Sequence, residues 1–164
     1  MHHSNRARHF WPVALAVFLT DCATKAVAVR DLTPAQVPHR IVGDLLQFTL
    51  TYNRGSAMSL VQGPLATTLL SLAASVALVT LWIWYRRSGP AARVQVTALA
   101  LVWGGAAGNL WDRLWTARGV VDFIDVGVGG SRFWIFNFAD AAITVGALLL
   151  AVVLSRQTAR PGEG

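Results

Sequence analysis

The chain has 164 residues, of which 54% are hydrophobic and 13% charged, and its mean hydropathy is +0.48. Ordinary soluble domains have about 25% charged residues, so this composition argues against a soluble protein and predicts a single membrane domain, residues 1–164. The formal net charge of +6 does not require a nucleic-acid partner, because attraction to anionic lipid explains it more simply.

Four apolar stretches predict four transmembrane helices, since each is near the ~20 residues that a helix needs to cross a bilayer. They cover residues 10–29, 64–85, 94–111 and 136–154. The first stretch also has signal-peptide features, including a basic front and Cys22, the sole cysteine, before which a lipoprotein signal could be cut. Asp21 and Lys25 stand where an ordinary signal-peptide cut requires small residues, and Asp21 next to Cys22 does not fit the small residues that a lipoprotein cut requires, so we predict a retained helix.

The connection between the first two stretches predicts a small β-sheet. Apolar and polar side chains alternate from Leu46 to Tyr52, which is the period of a half-buried strand, and Asn53–Gly55 is a turn signal. We therefore expect β-structure over about residues 40–62, on the outer membrane surface. The predicted fold class is an all-α membrane protein, a four-transmembrane-helix bundle with a small extracytoplasmic β-sheet between helices 1 and 2.

The distribution of charge predicts the orientation. With four spans, the side that holds both termini and the loop over residues 85–94 carries seven Lys or Arg against Glu163 alone, whereas the other side carries seven basic and seven acidic residues. The positive-inside rule places the termini and the short loop RRSGPAAR in the cytoplasm. The final residues, RQTARPGEG, are predicted to be a disordered tail.

Several polar residues lie within the predicted spans. Asp21 and Lys25 are four residues apart, so they either pair to fix the first helix or support a functional site. Gly104 and Gly108 form a small-xxx-small face that permits close helix contact. The polar residues that follow share one helix face, which predicts a polar cluster facing a site. They are Asn109, Asp112 and Arg113.

Asp122 and Asp140 are the candidates for acid–base chemistry. The helix dipole at the start of the fourth span, with Asn137 as a cap, explains Asp140 but not Asp122. Two carboxylates at a low-dielectric surface cannot both ionise, and such a pair can activate a water. The sequence has no multi-His or Cys/His ligand set, no G-x-S-x-G and no phosphate loop, and Lys25 is its only lysine.

Five segments resemble, in order and spacing, the motifs of lipoprotein signal peptidase, also called signal peptidase II. They are DCATK, NRGSAMS, GGAAGNLWDR, VVDFIDV and FNFADAAITVG, and the likeness spans roughly residues 10 to 155. The resemblance implies a bacterial inner-membrane aspartic endopeptidase that cuts prolipoproteins just before a diacylglyceryl-modified Cys. It implies no cofactor, no metal and no nucleic-acid partner, but a monomer among membrane lipids with its active site near the extracytoplasmic face.

The same resemblance implies a role for each matched residue. Asp122 and Asp140 would be the catalytic dyad. Contact with the substrate or support of the dyad is implied for Asn53, Gly55, Asn109, Arg113 and Asn137, and structural polar roles for Asp21, Lys25 and Asp112. Asp125 lies outside the invariant positions and is expected to be a loop or solvent residue.

Two further features concern the loops. The second motif usually ends in Gly-x-Ala-Phe, and here Met58 replaces the Phe. The Gly-rich segment 127–135 carries Phe133 and Trp134, which suit a membrane interface, and it is a candidate lid over the site.

Two other functions compete with a peptidase. A proton-coupled transporter or channel also holds buried Asp and Arg, but it usually shows internal repeats or broken helices, and the sequence shows neither. A membrane scaffold explains the glycine face and the aromatic residues, but not two positioned aspartates. Replacement of Asp122 by Asn separates the three functions. A peptidase would lose turnover but keep binding, a transporter would lose flux, and a scaffold would lose nothing.

Overall fold

The computed structural model describes residues 3–55, 64–89, 92–128 and 131–158. These residues form four helices, α1 (His3–Asp31), α2 (Pro64–Arg87), α3 (Arg93–Trp115) and α4 (Phe138–Thr158). They also form four strands, β1 (His39–Val42), β2 (Leu46–Asn53), β3 (Val120–Val128) and β4 (Ser131–Arg132). Residues 56–62 of the predicted β region, including Met58, lie outside the described residues.

Each of the four predicted spans coincides with a helix, although α4 begins at Phe138, two residues after the start of its predicted span. Three helical segments are long and apolar enough to cross a membrane, namely Ala7–Asp31, Leu65–Arg87 and Phe138–Thr158. The described part of α3 does not reach the same apolar length, because glycines and polar side chains interrupt it. α4 continues to Thr158, so the predicted disordered tail is wrong for its first three residues, and residues 159–164 lie outside the description.

α3 is the central helix and contacts α1, α2 and α4. At one end of the bundle its Leu99 packs in an apolar cluster with Phe10 and Tyr85, whose ring centroids are 4.3 Å apart. At the opposite end, buried polar residues replace this apolar core. The bundle is therefore apolar at the end that holds the N-terminus of α1 and polar at the end that faces the sheet.

Glycines allow the helices around α3 to approach closely, as the small-xxx-small pattern predicts. A Cβ added at Gly104 would lie 2.6 Å from the carbonyl oxygen of Ala14 in α1. A Cβ at Gly108 would meet the Asp21 carboxylate. Since Asp21 belongs to the buried polar end of the bundle, Gly108 makes room for a charged group rather than for an apolar contact.

Gly108→Ala is expected to destabilise the protein by about 1–3 kcal/mol, because the added methyl displaces the Asp21 carboxylate from its partners. The loss must outweigh the gain in helix propensity from Gly to Ala, which is about 1 kcal/mol. Gly89→Ala is the control, since no atom lies within 4 Å of a Cβ added there. Thermal unfolding in detergent measures both variants, and an unchanged transition for Gly108→Ala would contradict this packing.

The sheet draws its strands from both connections on the polar side of the bundle. Its order is β1-β2-β3-β4, and every neighbouring pair is antiparallel. The predicted strands between helices 1 and 2 are confirmed as β1 and β2, but the prediction was incomplete, because β3 and β4 of the same sheet follow α3. Residues Val120–Phe123 are all buried, so the first half of β3 lacks the period-two alternation by which a half-buried strand is recognised, and alternation begins only at Phe123.

β2 is a strand as predicted, but its burial alternates only from Leu46 to Thr49, and the buried positions are Gln47, Thr49 and Leu50 rather than the apolar set. Leu46 and Phe48 are half-buried, and the Phe48 ring meets Phe123 edge-on at 6.1 Å. The pairing with β3 shifts register between Phe48 and Thr51. The polar face of the strand is buried because its partners on β3 are themselves polar.

Candidate active site

The two aspartates predicted as a dyad are brought to one place by the chain that joins β3 to α4. Asp122 is the third residue of β3 and is 2% exposed, whereas Asp140 lies half-buried in the first turn of α4. Between them the chain turns back, and Phe136 pairs with Ile124 in an isolated antiparallel bridge. This return places Asn137, at the start of α4, beside Asp122.

Asn137 contacts both carboxylates. Its Nδ2 donates to Asp122 Oδ1 at 2.7 Å, and its Oδ1 accepts from the backbone N–H of Asp140 at 2.9 Å. In return, the backbone N–H of Asn137 donates to Asp140 Oδ2 at 3.2 Å. This reciprocal pattern is a capping box, so the predicted cap is confirmed and the same residue also links the two aspartates.

Two more asparagines hold the carboxylates from other elements. Asn109 of α3 donates from Nδ2 to Asp140 Oδ1 at 2.8 Å, and its Oδ1 accepts from Asn137 Nδ2 at 3.0 Å. Asn53, at the end of β2, donates from Nδ2 to Asp122 Oδ2 at 3.2 Å. Gly55 has φ +114° and donates its N–H to Asn53 Oδ1 at 3.0 Å, so this turn orients the Asn53 amide.

Arg113 supplies a positive charge near the pair. Its Nη1 donates to the carbonyl oxygen of Asn109 at 3.2 Å, one turn back along α3. The guanidinium is close enough to Asp140 and Asp122 to interact with both electrostatically. Arg113 is therefore placed to offset negative charge at the dyad without a direct ion pair to either carboxylate.

Lys25 is the centre of a buried polar network behind the dyad. Its Nζ lies 2.7 Å from Asp21 Oδ2 and 2.9 Å from Asp112 Oδ2, and it donates to Asn109 Oδ1 at 2.9 Å. The predicted ion pair of Asp21 and Lys25 is present, and the role in a functional site stays a prediction. The residues form an ion pair, and Lys25 also orients Asn109, which holds Asp140.

The acids of this network fix the elements that carry the dyad. Asp21 Oδ1 accepts from the backbone N–H of Ala139 in the first turn of α4 at 2.9 Å. Asp112 Oδ2 accepts from the backbone N–H of Val121, next to Asp122, at 3.1 Å. A charge network on α1 and α3 thus positions both β3 and α4.

The environment of Asp122 favours its protonated form. Burial, followed by repulsion from Asp140, raises the pKa of Asp122 from an ordinary 3.8 to about 7. The hydrogen bonds from Asn53 and Asn137 act in the opposite direction and do not cancel the effect of burial. Asp122 can therefore be protonated near neutral pH, which is the condition that a proton-sharing pair requires.

A cavity of about 440 Å³ opens beside Asp140. Apart from Asp140 and Thr144 its lining is apolar, and it includes Phe133 and Trp134, whose side chains are 65% and 74% exposed. These two aromatic residues follow β4 and form one wall of the cavity. In the candidate lid, residues 129–130 lie outside the described residues, and the lid stays a prediction.

Asp125 is a buried acid whose position the sequence analysis misjudged. It is 5% exposed within β3, so the prediction of a loop or solvent residue is wrong. Its carboxylate pairs with Arg132, 2.8 Å away, and accepts from the Thr49 hydroxyl at 2.9 Å. The only sequence signal was an arginine seven positions after the acid.

In residues 3–55, 64–89, 92–128 and 131–158, no three His, Cys, Asp or Glu come together to hold a metal.

Comparison with known proteins identifies the family of this chain. The family model described as signal peptidase (SPase) II matches residues 13–156. The chain belongs to the signal peptidase II family. It is 39% identical over 155 residues to a lipoprotein signal peptidase of Mycolicibacterium smegmatis, covering 90% of this chain and 61% of that protein. This chain therefore spans about three-fifths of the length of that relative.

Other signal peptidases II match this chain over more of their own length. A lipoprotein signal peptidase of Geobacillus kaustophilus is 37% identical over 145 residues, which is 88% of this chain and 90% of that protein. A solved structure of a bacterial membrane enzyme superposes with a TM-score of 0.82 at 28% identity, covering 93% of this chain and 90% of the other. The motif resemblance is thereby confirmed at the level of the family, which is a family of proteases.

Proposed function

We propose that the protein is an aspartic endopeptidase of the bacterial cytoplasmic membrane. It removes the signal peptide from diacylglyceryl-modified prolipoproteins and cuts just before the lipidated Cys, with Asp122 and Asp140 as its catalytic dyad. One observation carries this proposal. Asn137 donates a hydrogen bond from its side chain to Asp122 and forms a capping box with Asp140. One asparagine therefore binds two carboxylates from different elements, beside an apolar cavity.

The mechanism follows from two unequal carboxyl groups. In the active form Asp122 is the acid that holds the proton, and Asp140, at the N-terminus of α4, is the base. A water between them gives its proton to Asp140 while its oxygen attacks the scissile carbonyl carbon, and Asp122 protonates the carbonyl oxygen. The tetrahedral intermediate then breaks its C–N bond, the amine leaves with the proton from Asp140, and Asp122 regains its own.

The surrounding residues have distinct roles in this mechanism. Asn109, Asn53 and Asn137 orient the carboxylates through the hydrogen bonds that they donate. Arg113 limits the build-up of negative charge and contacts the extended substrate backbone. Asp21, Lys25 and Asp112 do not touch the substrate, because they are buried and their polar atoms bind one another, Asn109 and the backbone.

Placement in the membrane completes the proposal. All four helices span the bilayer. α3 crosses it despite its polar residues, because α1, α2 and α4 pack around it and shield those residues from lipid. The termini are cytoplasmic, and the sheet and the dyad lie at the extracytoplasmic end. The substrate's signal helix enters from the bilayer while its acyl chains stay in lipid, so lipid modification fixes the depth of the scissile bond. The protein acts as a monomer.

The pH dependence of cleavage tests the assignment of the proton. Because the pKa of Asp122 is about 7, the rate is expected to fall about tenfold per pH unit once the pH clearly exceeds 7, as Asp122 loses the proton that it donates. Initial rates between pH 6 and 9 on a lipid-modified peptide measure this, and a melting curve at each pH checks that the protein stays folded. A rate that stays constant or rises up to pH 9 would contradict the assignment.

A further inference from the structure

Asp125 is a buried acid outside the network of the dyad, although it lies only three residues after Asp122. Its Oδ1 accepts from Arg132 Nε at 2.9 Å, and its Oδ2 accepts from Thr49 Oγ1 at 2.9 Å. Arg132 Nη2 also donates to the backbone carbonyl oxygen of Asp125 at 2.8 Å. Both carboxylate oxygens of Asp125 therefore accept hydrogen bonds, and Arg132 also binds the backbone carbonyl oxygen of Asp125.

The Arg132 side chain joins three parts of the sheet. From β4 it crosses β3 at Gly127, where an added Cβ would lie 2.5 Å from Nη1. Nη1 then donates to the carbonyl oxygen of Asp44, in the turn between β1 and β2. A guanidinium can make these contacts together because its donors form a rigid planar fork, which a lysine ammonium lacks.

The Arg132–Asp125 ion pair, here called the anchor, lies at one end of the aromatic wall formed by Phe133 and Trp134. Directly after Arg132, the backbone N–H of Phe133 donates to Val126 O at 2.8 Å, and the N–H of Phe136 donates to Ile124 O at 3.0 Å. Between these two attachments the side chains of Phe133 and Trp134 line the cavity beside Asp140. Both are largely exposed, so their position depends on how the backbone is held rather than on core packing.

We propose that Arg132 and Asp125 are positioning residues whose ion pair holds the Phe133–Trp134 wall beside Asp140 and thereby sets the affinity for the lipid-modified substrate. This inference rests on the proposed peptidase function. Neither residue touches the reacting atoms. Loss of the pair frees one end of the wall and weakens its apolar contacts with the substrate, while the asparagine network that holds the dyad is left unchanged.

Arg132→Gln is expected to raise KM about tenfold and to change kcat by less than about threefold, because binding is lost rather than chemistry. Arg132→Lys keeps the charge without the fork and is expected to fall between this variant and the wild type. Arg40→Gln is the matched control, since Arg40 belongs to the same sheet but pairs with Asp44 at 3.5 Å, with side chains 73% and 60% exposed. It is expected to leave KM unchanged.

The same substitution made in a protein that lacks the two aromatic side chains shows whether Arg132 acts through Phe133 and Trp134. In a Phe133→Ala/Trp134→Ala protein, Arg132→Gln is expected to raise KM no further. An unchanged KM in Arg132→Gln, a fall in kcat alone, or a full additional effect in the doubly substituted background would overturn the inference. If Arg132→Gln does not fold, Arg132→Lys is tested in the same two backgrounds, with the same outcomes deciding.

The two proposals fail in different ways. A wild-type protein that cleaves, together with a variant whose KM is unchanged, overturns only the role of Arg132. A folded wild-type protein that does not cleave overturns the peptidase function. The anchor is then still measured by hydrogen exchange at the backbone N–H of Phe133, which is expected to be faster in Arg132→Gln and unchanged in Arg40→Gln.

Discussion

Replacement of either dyad carboxyl by an amide is expected to lower the cleavage rate by about 10³- to 10⁴-fold, because an amide can neither accept the proton of water nor donate one as an acid. Asp122→Asn and Asp140→Asn keep the side-chain shape, and in each variant the amide oxygen retains one of the two hydrogen bonds that the carboxylate accepts, for example the bond from the N–H of Asn137 at position 140. Both variants should therefore fold. Single-turnover cleavage of a diacylglyceryl-modified prolipoprotein measures the loss.

Binding of the same substrate provides the comparison that identifies the chemistry. Both variants are expected to bind the lipid-modified substrate within a few-fold of the wild type, since the cavity wall is not altered. Asp31→Asn is the control, because Asp31 is an exposed acid at the end of α1 whose carboxylate pairs with the exposed Arg30. An Asp140→Asn protein that retains more than about a tenth of the wild-type rate would show that Asp140 is structural.

Lys25→Met is expected to destabilise the protein by about 3–5 kcal/mol, because it leaves the buried carboxylates of Asp21 and Asp112 without their cation. Their side chains are 0% and 9% exposed, so water cannot replace the ammonium. Activity is expected to fall as well, since Asn109 loses the donor that orients it towards Asp140. Thermal unfolding in detergent or bicelles measures the loss of stability.

Two further variants separate a buried charge from general damage to α1. Arg30→Gln removes an ion pair on the same helix, but that pair is exposed, so no measurable change is expected. Adding Asp21→Asn to Lys25→Met should recover part of the lost stability, because one unpaired charge is then removed. A Lys25→Met protein that unfolds at the wild-type temperature would contradict the role given to this network.

The helices could be predicted from the sequence because each apolar run is long and ends near polar or aromatic residues. Their ends were less predictable, since hydropathy gives the extent of the apolar run and not of the helix. α4 continues through Arg156 to Thr158 although those residues are polar. β3 was missed because its first four residues are all buried and show no alternation, and because its buried carboxylates, Asp122 and Asp125, are typical of a surface loop rather than a strand.

The candidate site was predictable as a set of residues but not as a set of contacts. The spacing of Asn109, Asp112 and Arg113 placed them on one helix face. It could not indicate that Lys25, 84 positions before Asn109, reaches into the same cluster, because nothing local links the two. Asp125 was misjudged for the same reason, since its burial depends on Arg132 and Thr49 arriving from other strands.

The most direct test of the dyad peptidase is to incubate the purified wild-type protein with a prolipoprotein before and after diacylglyceryl modification, and to determine the products by mass spectrometry. The predicted result is a single cut immediately before the lipidated Cys, on the modified substrate alone, which is lost in Asp140→Asn. No cut by the folded wild type, or equal cutting by Asp140→Asn, would contradict it.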